Sequence, residues 1–195
     1  MILGLTEQLI GRRAFGASGF RYCGNLIPPR LPQADREALV PQICALADHL
    51  AAWFGLKGVN GVDFIWHAGR PWTLEVNPRP TAALEIIDGA YNVRTFDAHV
   101  RACAGELPEF DPAAAWEAGA PAAGKAILFA RRDVILGATG GWTAQGIRDV
   151  PHPSEHIPAP GPVCTLVATG RSPAACLREL RSKANRVRSW FIEGE

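Results

Sequence analysis

The sequence predicts an α+β protein: an antiparallel sheet flanked by helices, followed by a small β-rich module that closes with a helix. Three observations carry this reading. From Ala34 to Phe54 the apolar residues Leu39, Val40, Ile43, Leu46, Leu50 and Phe54 recur at helical spacing. Directly after them, "GVNGVDFIWH" and "PWTLEVNP" read as two strands joined by the turn "HAGRP". Near the end, the short strand-like runs "KAILFAR", "DVILG" and "PVCTLVATG" precede a second apolar stripe of Leu177, Leu180, Ala184, Val187 and Phe191.

In chain order, residues 1–31 read as extended: "GLTEQLI" and "GFRYCGNLI" flank a Gly-rich turn and stop at Pro28-Pro29. The helix of residues 34–54 ends at Gly55 and Gly58. After the hairpin, "LEIIDGAY" reads as a short helix or turn. "TFDAHVRACAG" reads as a helix with Thr95 in the N-cap position and Gly105 as its stop. Between Leu107 and Gly124 the periodicity fades into Pro, Ala and Gly, as in a linker or a long surface loop. The predicted organisation is a body at 1–106, a linker at 107–124 and a small module at 125–195, whose last helix spans about Ser172 to Phe191.

Composition narrows the function classes. Over 195 residues, 48% apolar and 20% charged content is that of a folded domain with a real core. A formal charge of +1 supplies no basic field, so nucleic acid is not an expected partner. The five cysteines (23, 44, 103, 164 and 176) are odd in number and lack C-x-x-C spacing, which points to buried thiols in a reducing compartment. No apolar run approaches a membrane span, and Glu7 interrupts any signal-peptide core, so the expected location is cytoplasmic.

The most informative stretch is "WTLEVNPRP", residues 72–80. Alternate residues of a strand share a face, so Glu75, Asn77 and Arg79 fall on one side and Leu74 and Val76 on the other. If the two predicted strands pair across "HAGRP", Asp63 approaches Glu75. Two carboxylates and an amide oxygen are hard donors that suit Mg²⁺, which takes one or two carboxylates and completes its octahedron with phosphate and water. Arg79 offers a planar fork for a phosphate. Together they suit phosphoryl transfer, where positioning and charge neutralisation do most of the work. Taken alone, E-x-N-x-R has a plainer reading as the wet face of a sheet.

The stretch "GVNGVDFIWHAGRPWTLEVNPRPTAALE" resembles the metal-binding hairpin of the ATP-grasp superfamily. Within residues 1–110, "GLTEQLIG…GFRYCGNLIPP" is similar to the segment returning from the ATP-grasp lid, and "HVRACAGELP" to the helix after the metal site. The nearest likeness is to ATP-grasp ligases of pterin- and methanofuran-linked one-carbon metabolism. The resemblance implies the C-terminal half of an ATP-grasp fold and an ATP-dependent ligase joining a carboxylate to an amine or thiol through an acylphosphate. It further implies that Asp63 and Glu75 bind Mg²⁺ or Mn²⁺, Glu75 bridging two ions, with Asn77 completing the coordination of the second ion. Arg79 would steady the transferring phosphate as the catalytic residue, and Ile65 and Leu74 would wall the adenine slot. "GPVCTLVATGRSPAACLRELRSKANRV" is similar to the small β module that follows ATP-grasp domains in carboxylases and related ligases; its plainer reading is a structural cover for the surface.

The chain departs from that pattern in its lysines. Only Lys57, Lys125 and Lys183 are present, and none precedes Lys57 to serve as a phosphate-binding lysine of the family's N-terminal region. "GASG" near residue 16 lacks a basic partner and reads as a turn. The expectation is therefore an ATP-grasp C-terminal part, inactive alone, that oligomerises or takes the N-terminal half from a partner. The alternatives are a non-catalytic ATP-grasp-derived module and, more remotely, a metal-dependent hydrolase. The latter rests on "HPSEH", His152 to His156, which matches H-x-x-E-H. Pro151, Pro153, Pro158 and Pro160 argue against the helix that string needs. His99 reads as a packed or surface histidine, Glu85 and Asp88 as substrate contacts or equally as capping or solvent contacts, and Ser18 and Ser172 lack a G-x-S-x-G context.

Overall fold

The computed structural model describes residues 1–107 and 109–193. In chain order its elements are β1 (Glu7–Ile10), β2 (Tyr22–Ile27), α1 (Gln33–Phe54), β3 (Gly61–His67), β4 (Arg70–Asn77), α2 (Leu84–Tyr91), α3 (Thr95–Cys103), α4 (Pro112–Glu117), β5 (Ala122–Phe129), β6 (Val134–Leu136), β7 (Ile147–Arg148), β8 (His156–Ile157), β9 (Pro162–Gly170), α5 (Pro173–Arg188) and β10 (Phe191–Glu193). The chain divides into two units, one of Met1–Leu5 with Pro29–Ala120, the other of Thr6–Pro28 with Pro121–Glu195. Among the described residues no helix is long and apolar enough to cross a membrane.

The second unit is built on a five-stranded antiparallel sheet in the order β1-β2-β5-β9-β7. Residues 6–28, close to the N-terminus, thus pair with strands from residue 122 onward. Leu26 and Cys176 approach the face of β5 on which Gly124 lies, so α5 covers that side. The predicted stripe of α5 is buried through Cys176, Leu177, Leu180, Ala184 and Val187. The Ser172 hydroxyl caps the helix by accepting the Ala175 N–H at 3.2 Å, and Pro173 occupies the first turn. The helix stops at Arg188, three residues short of the predicted Phe191. Phe191 instead enters β10 opposite Leu136, completing a second sheet, β10-β6-β8. Gly24 shows why this β2–β5 pairing is close: its φ is +137°, and a Cβ there would lie 2.0 Å from the Lys125 carbonyl oxygen.

The first unit holds α1, the β3–β4 hairpin and α2 to α4. α1 spans the predicted range and ends at Gly55, whose φ of +59° is the left-handed stop that glycine adopts without strain. Only part of its predicted stripe is buried: Leu39 and Ile43 are, whereas Val40 and Phe54 stay exposed. α1 is tied to the hairpin by the Gln42 side-chain amide, which donates to the Gly69 carbonyl at 3.0 Å.

Three local expectations are revised. Thr95 is the first helical residue of α3 rather than its cap. It is buried, and its N–H is taken by the Asp88 carboxylate at 3.0 Å. The stretch 107–124, expected to be irregular, contains α4 and the start of β5. Of the cysteines, Cys23, Cys164 and Cys176 are buried, but Cys103 is exposed.

Candidate functional site: the β3–β4 hairpin

The turn of the hairpin has two residues, Ala68 and Gly69, with φ of +50° and +73°. Positive φ at both central positions matches the right-handed twist of the strands it joins. That turn fixes the register: His67 opposes Arg70, Ile65 opposes Trp72 and Phe64 opposes Thr73. The register then slips, so that Asp63 opposes Glu75, Val62 opposes Val76 and Gly61 opposes Asn77. Leu74 is the extra residue of this β-bulge. Without the bulge, Asp63 would face Leu74 and Glu75 would pair with Val62. The slip is what sets the two carboxylates against each other.

Side chains directly opposite on an antiparallel pair have Cβ atoms about 4.5–5.5 Å apart and share a face. Asp63 is half-buried and Glu75 exposed. Two like charges so placed disfavour the hairpin by a few tenths to about 1 kcal/mol, a cost that a cation between them reverses. Asn77, at the end of β4, is 8% exposed. Arg79 lies just past the strand in a turn closed by its N–H on the Asn77 carbonyl at 2.8 Å. Its guanidinium bends back to donate to Asn77 Oδ1 at 3.4 Å and to the Pro80 carbonyl at 3.2 Å. Arg79 thus stands on the Asn77 side by a turn rather than by strand alternation. The contact to Oδ1 is long, and the amide oxygen keeps a second lone pair for another partner.

The donor set is two carboxylates plus one amide oxygen. No group of three or more His, Cys, Asp and Glu side chains gathers among the described residues. All-oxygen donors with few carboxylates fit a hard divalent cation that keeps water and phosphate ligands, and do not fit a structural zinc site. Ile65 and Leu74 are large apolar residues left 52% and 66% exposed, with Trp72 at 57%.

The remaining sequence candidates fall elsewhere. Asp88 caps α3. "HPSEH" folds as a turn with Ser154 at φ +64°, and His156 belongs to β8, so the two histidines do not share a helix face. The Glu155 carboxylate accepts the His152 N–H at 2.9 Å, and His156 Nε2 lies 3.8 Å from Asp133.

The second unit contains a polar group that sequence patterning does not single out. Asn25 and Lys125 oppose each other on β2 and β5 and are only 4% and 7% exposed. The Tyr22 hydroxyl donates to Asn25 Oδ1, and Asn25 Nδ2 donates to Thr6 Oγ1 at 3.1 Å. Its one signal is a polar residue inside each of two apolar runs, "YCGNLI" and "AAGKAILF".

A sequence profile described as the ATP-grasp domain matches residues 1–83. No match is found among curated proteins. Solved structures resemble nearly the whole chain. The biotin carboxylase domain of a single-chain bacterial carboxylase aligns with TM-score 0.62 at 22% identity, over 97% of this chain and 44% of its own. L-amino acid ligase from Bacillus licheniformis aligns with TM-score 0.61 at 13% identity, over 92% and 46%. Phosphoribosylglycinamide synthetase from Anaerococcus prevotii aligns with TM-score 0.64 at 11% identity, over 96% and 48%. The chain spans less than half the length of each of these three. The sequence match to the ATP-grasp domain thus covers residues 1–83, and the fold of nearly the whole chain is similar to that of these three structures.

Proposed function

We propose that the β3–β4 hairpin is the metal–nucleotide site of an ATP-dependent ligase that joins a carboxylate to an amine or thiol through an acylphosphate. The observation that supports this best is the direct opposition of Asp63 and Glu75, set by the bulge at Leu74. In this reading Asp63, Glu75 and Asn77 hold Mg²⁺ or Mn²⁺, which when bound neutralises phosphate charge. Arg79 fastens the phosphoryl oxygens with its fork and steadies the charge that develops on them. Ile65 and Leu74 receive the adenine ring on exposed apolar surface that water otherwise covers. Their exposure supports that role, as does the likeness of the fold to a biotin carboxylase domain and to an L-amino acid ligase. We place the remaining phosphate and substrate contacts outside this sequence, in a partner or a further segment, because the structures it resembles are more than twice as long.

The test is calorimetric titration with Mg-ATP of the chain and of an E75Q/N77A variant. Saturable binding that is lost in the variant supports the assignment. Equal binding by both proteins would remove the hairpin from the nucleotide site.

A further inference from the structure

Arg79 is held by two uncharged acceptors. Its guanidinium donates to Asn77 Oδ1 at 3.4 Å and to the Pro80 carbonyl at 3.2 Å. Asn77 is only 8% exposed, so bulk water reaches its side chain little, and a cation stands against Oδ1. Arg79 itself is exposed.

The backbone beneath this contact is stiff. The order Asn77-Pro78-Arg79-Pro80 sets a proline on each side of Arg79. The Arg79 N–H closes a three-residue turn on the Asn77 carbonyl at 2.8 Å, and Pro78, in the middle, has a fixed φ that suits it. Arg79 also precedes Pro80, which keeps it from helical backbone angles. The freedom that remains is in the side chain. Rotation about its own bonds moves the guanidinium while the backbone of residue 79 stays beside Asn77.

The roles assigned to Asn77 and Arg79 conflict while the site is empty of phosphate. A divalent cation on Oδ1 meets the charge of a guanidinium already bonded there. The second lone pair of the oxygen removes the steric conflict but leaves the Coulombic one. A phosphoryl group resolves it, because a hydrogen bond to an anionic oxygen is shorter and about twice as strong as one to a neutral oxygen.

We propose that Arg79 guards the metal subsite, holding Asn77 Oδ1 against free divalent cations and releasing it when a phosphoryl group draws the guanidinium away. The inference rests on the hairpin being the metal–nucleotide site and adds an order to it: cation and phosphate are taken up together, and the cation alone is disfavoured. Such coupling is reciprocal, so the residue that weakens binding of the bare cation strengthens binding of the cation with its phosphate.

The experiment titrates the intact chain, Arg79→Gln, Arg79→Lys and Glu75→Gln with Mn²⁺ alone, counting free Mn²⁺ by electron paramagnetic resonance, and then with Mn-ATP by calorimetry. Arg79→Gln is expected to bind Mn²⁺ alone about tenfold tighter than the parent and Mn-ATP about tenfold more weakly. Arg79→Lys keeps the charge and loses the planar fork, so its affinity for Mn²⁺ alone should stay within about threefold of the parent. Damage to the fold would weaken both kinds of binding, and a role confined to phosphate would leave Mn²⁺ alone unchanged. The proposal is overturned by Mn²⁺ binding that is no tighter in Arg79→Gln, by Mn-ATP binding that is no weaker, or by a Lys variant that binds Mn²⁺ as tightly as the Gln variant. Binding that needs Glu75 but ignores Arg79 sinks only the guard. Binding that ignores Glu75, or none by any of the four proteins, removes the hairpin assignment and this inference with it.

Discussion

Asp63 and Glu75 stand directly opposite each other on β3 and β4, brought into register by a bulge that leaves Leu74 without a partner. Both are carboxylates, and in the absence of a cation this arrangement works against the fold. Cross-strand like charges are destabilising, and a sheet face selected for stability alone pairs opposite signs.

The same opposition predicts that function and stability move in opposite directions at position 75. Glu75→Gln keeps the side chain's size and removes one of the two charges. Without divalent cation, the variant should be as stable as the parent or more stable by about 0.2–1 kcal/mol in urea denaturation. With millimolar Mg-ATP the parent should gain stability by mass action and the variant should not. A variant that is less stable without metal would show that Glu75 makes a structural contact instead.

At Asp88 the expectation is purely structural. Its carboxylate accepts the Thr95 N–H at 3.0 Å and so satisfies an otherwise unpaired donor at the start of α3. Asp88→Ala should cost about 1 kcal/mol and fray α3, which hydrogen exchange at residues 95–98 would register. A neutral variant would mean that water replaces the carboxylate freely.

Two glycines separate close packing from open loop. Gly24 combines φ +137° with a Cβ position 2.0 Å from the Lys125 carbonyl oxygen, whereas nothing lies within 4 Å of a Cβ at Gly140. Gly24→Ala should lose about 2–4 kcal/mol or fail to fold, while Gly140→Ala stays within about 0.5 kcal/mol. Denaturation midpoints of the two variants side by side test the β2–β5 pairing directly.

What the sequence made legible follows from how local each signal is. Period-3.6 and period-2 patterning located α1, α5 and the hairpin, because each element carries its own repeat. The pairing of residue 63 with residue 75 was open to reading once "HAGRP" was taken as the turn. The bulge at Leu74 was not, since nothing in "WTLEV" marks the extra residue. Phe191 misled for a related reason: it continues the apolar spacing of α5 but is taken up by a strand partner, Leu136, 55 residues earlier in the chain. The partition of residues 6–28 with the C-terminal strands is likewise non-local, and periodicity carries no information about partners. His99, whose Nδ1 accepts the Val59 N–H and whose Nε2 faces Cys103 Sγ, joins a helix to a distant loop, so that spacing alone shows only the i, i+4 pair with Cys103.

Cys164 supplies a pH dependence whose sign is fixed by burial. It lies in β9 opposite Leu128 and is 2% exposed. Burial raises its pKa from the ordinary 9.0 to about 12, and the Asp149 carboxylate adds to the shift. Above pH 9 the unfolded chain therefore releases a proton that the folded chain retains. Ionisation then favours the unfolded state, so the contribution is intact below about pH 9 and is lost as pH rises toward 12, at about 1.4 kcal/mol per pH unit. Lysines and tyrosines titrate in the same range, but they do so equally in a Cys164→Ala variant and cancel in the comparison. Between pH 8 and pH 10 the parent should lose about 1–1.5 kcal/mol more than that variant, measured by urea denaturation at each pH. Cys164→Ala itself should begin less stable at pH 8, because it removes a buried sulfur, so the two stability curves converge as the pH rises. Curves that stay parallel would mean that the Cys164 thiol is open to solvent in the native state, and that β9 does not sit in the sheet as described.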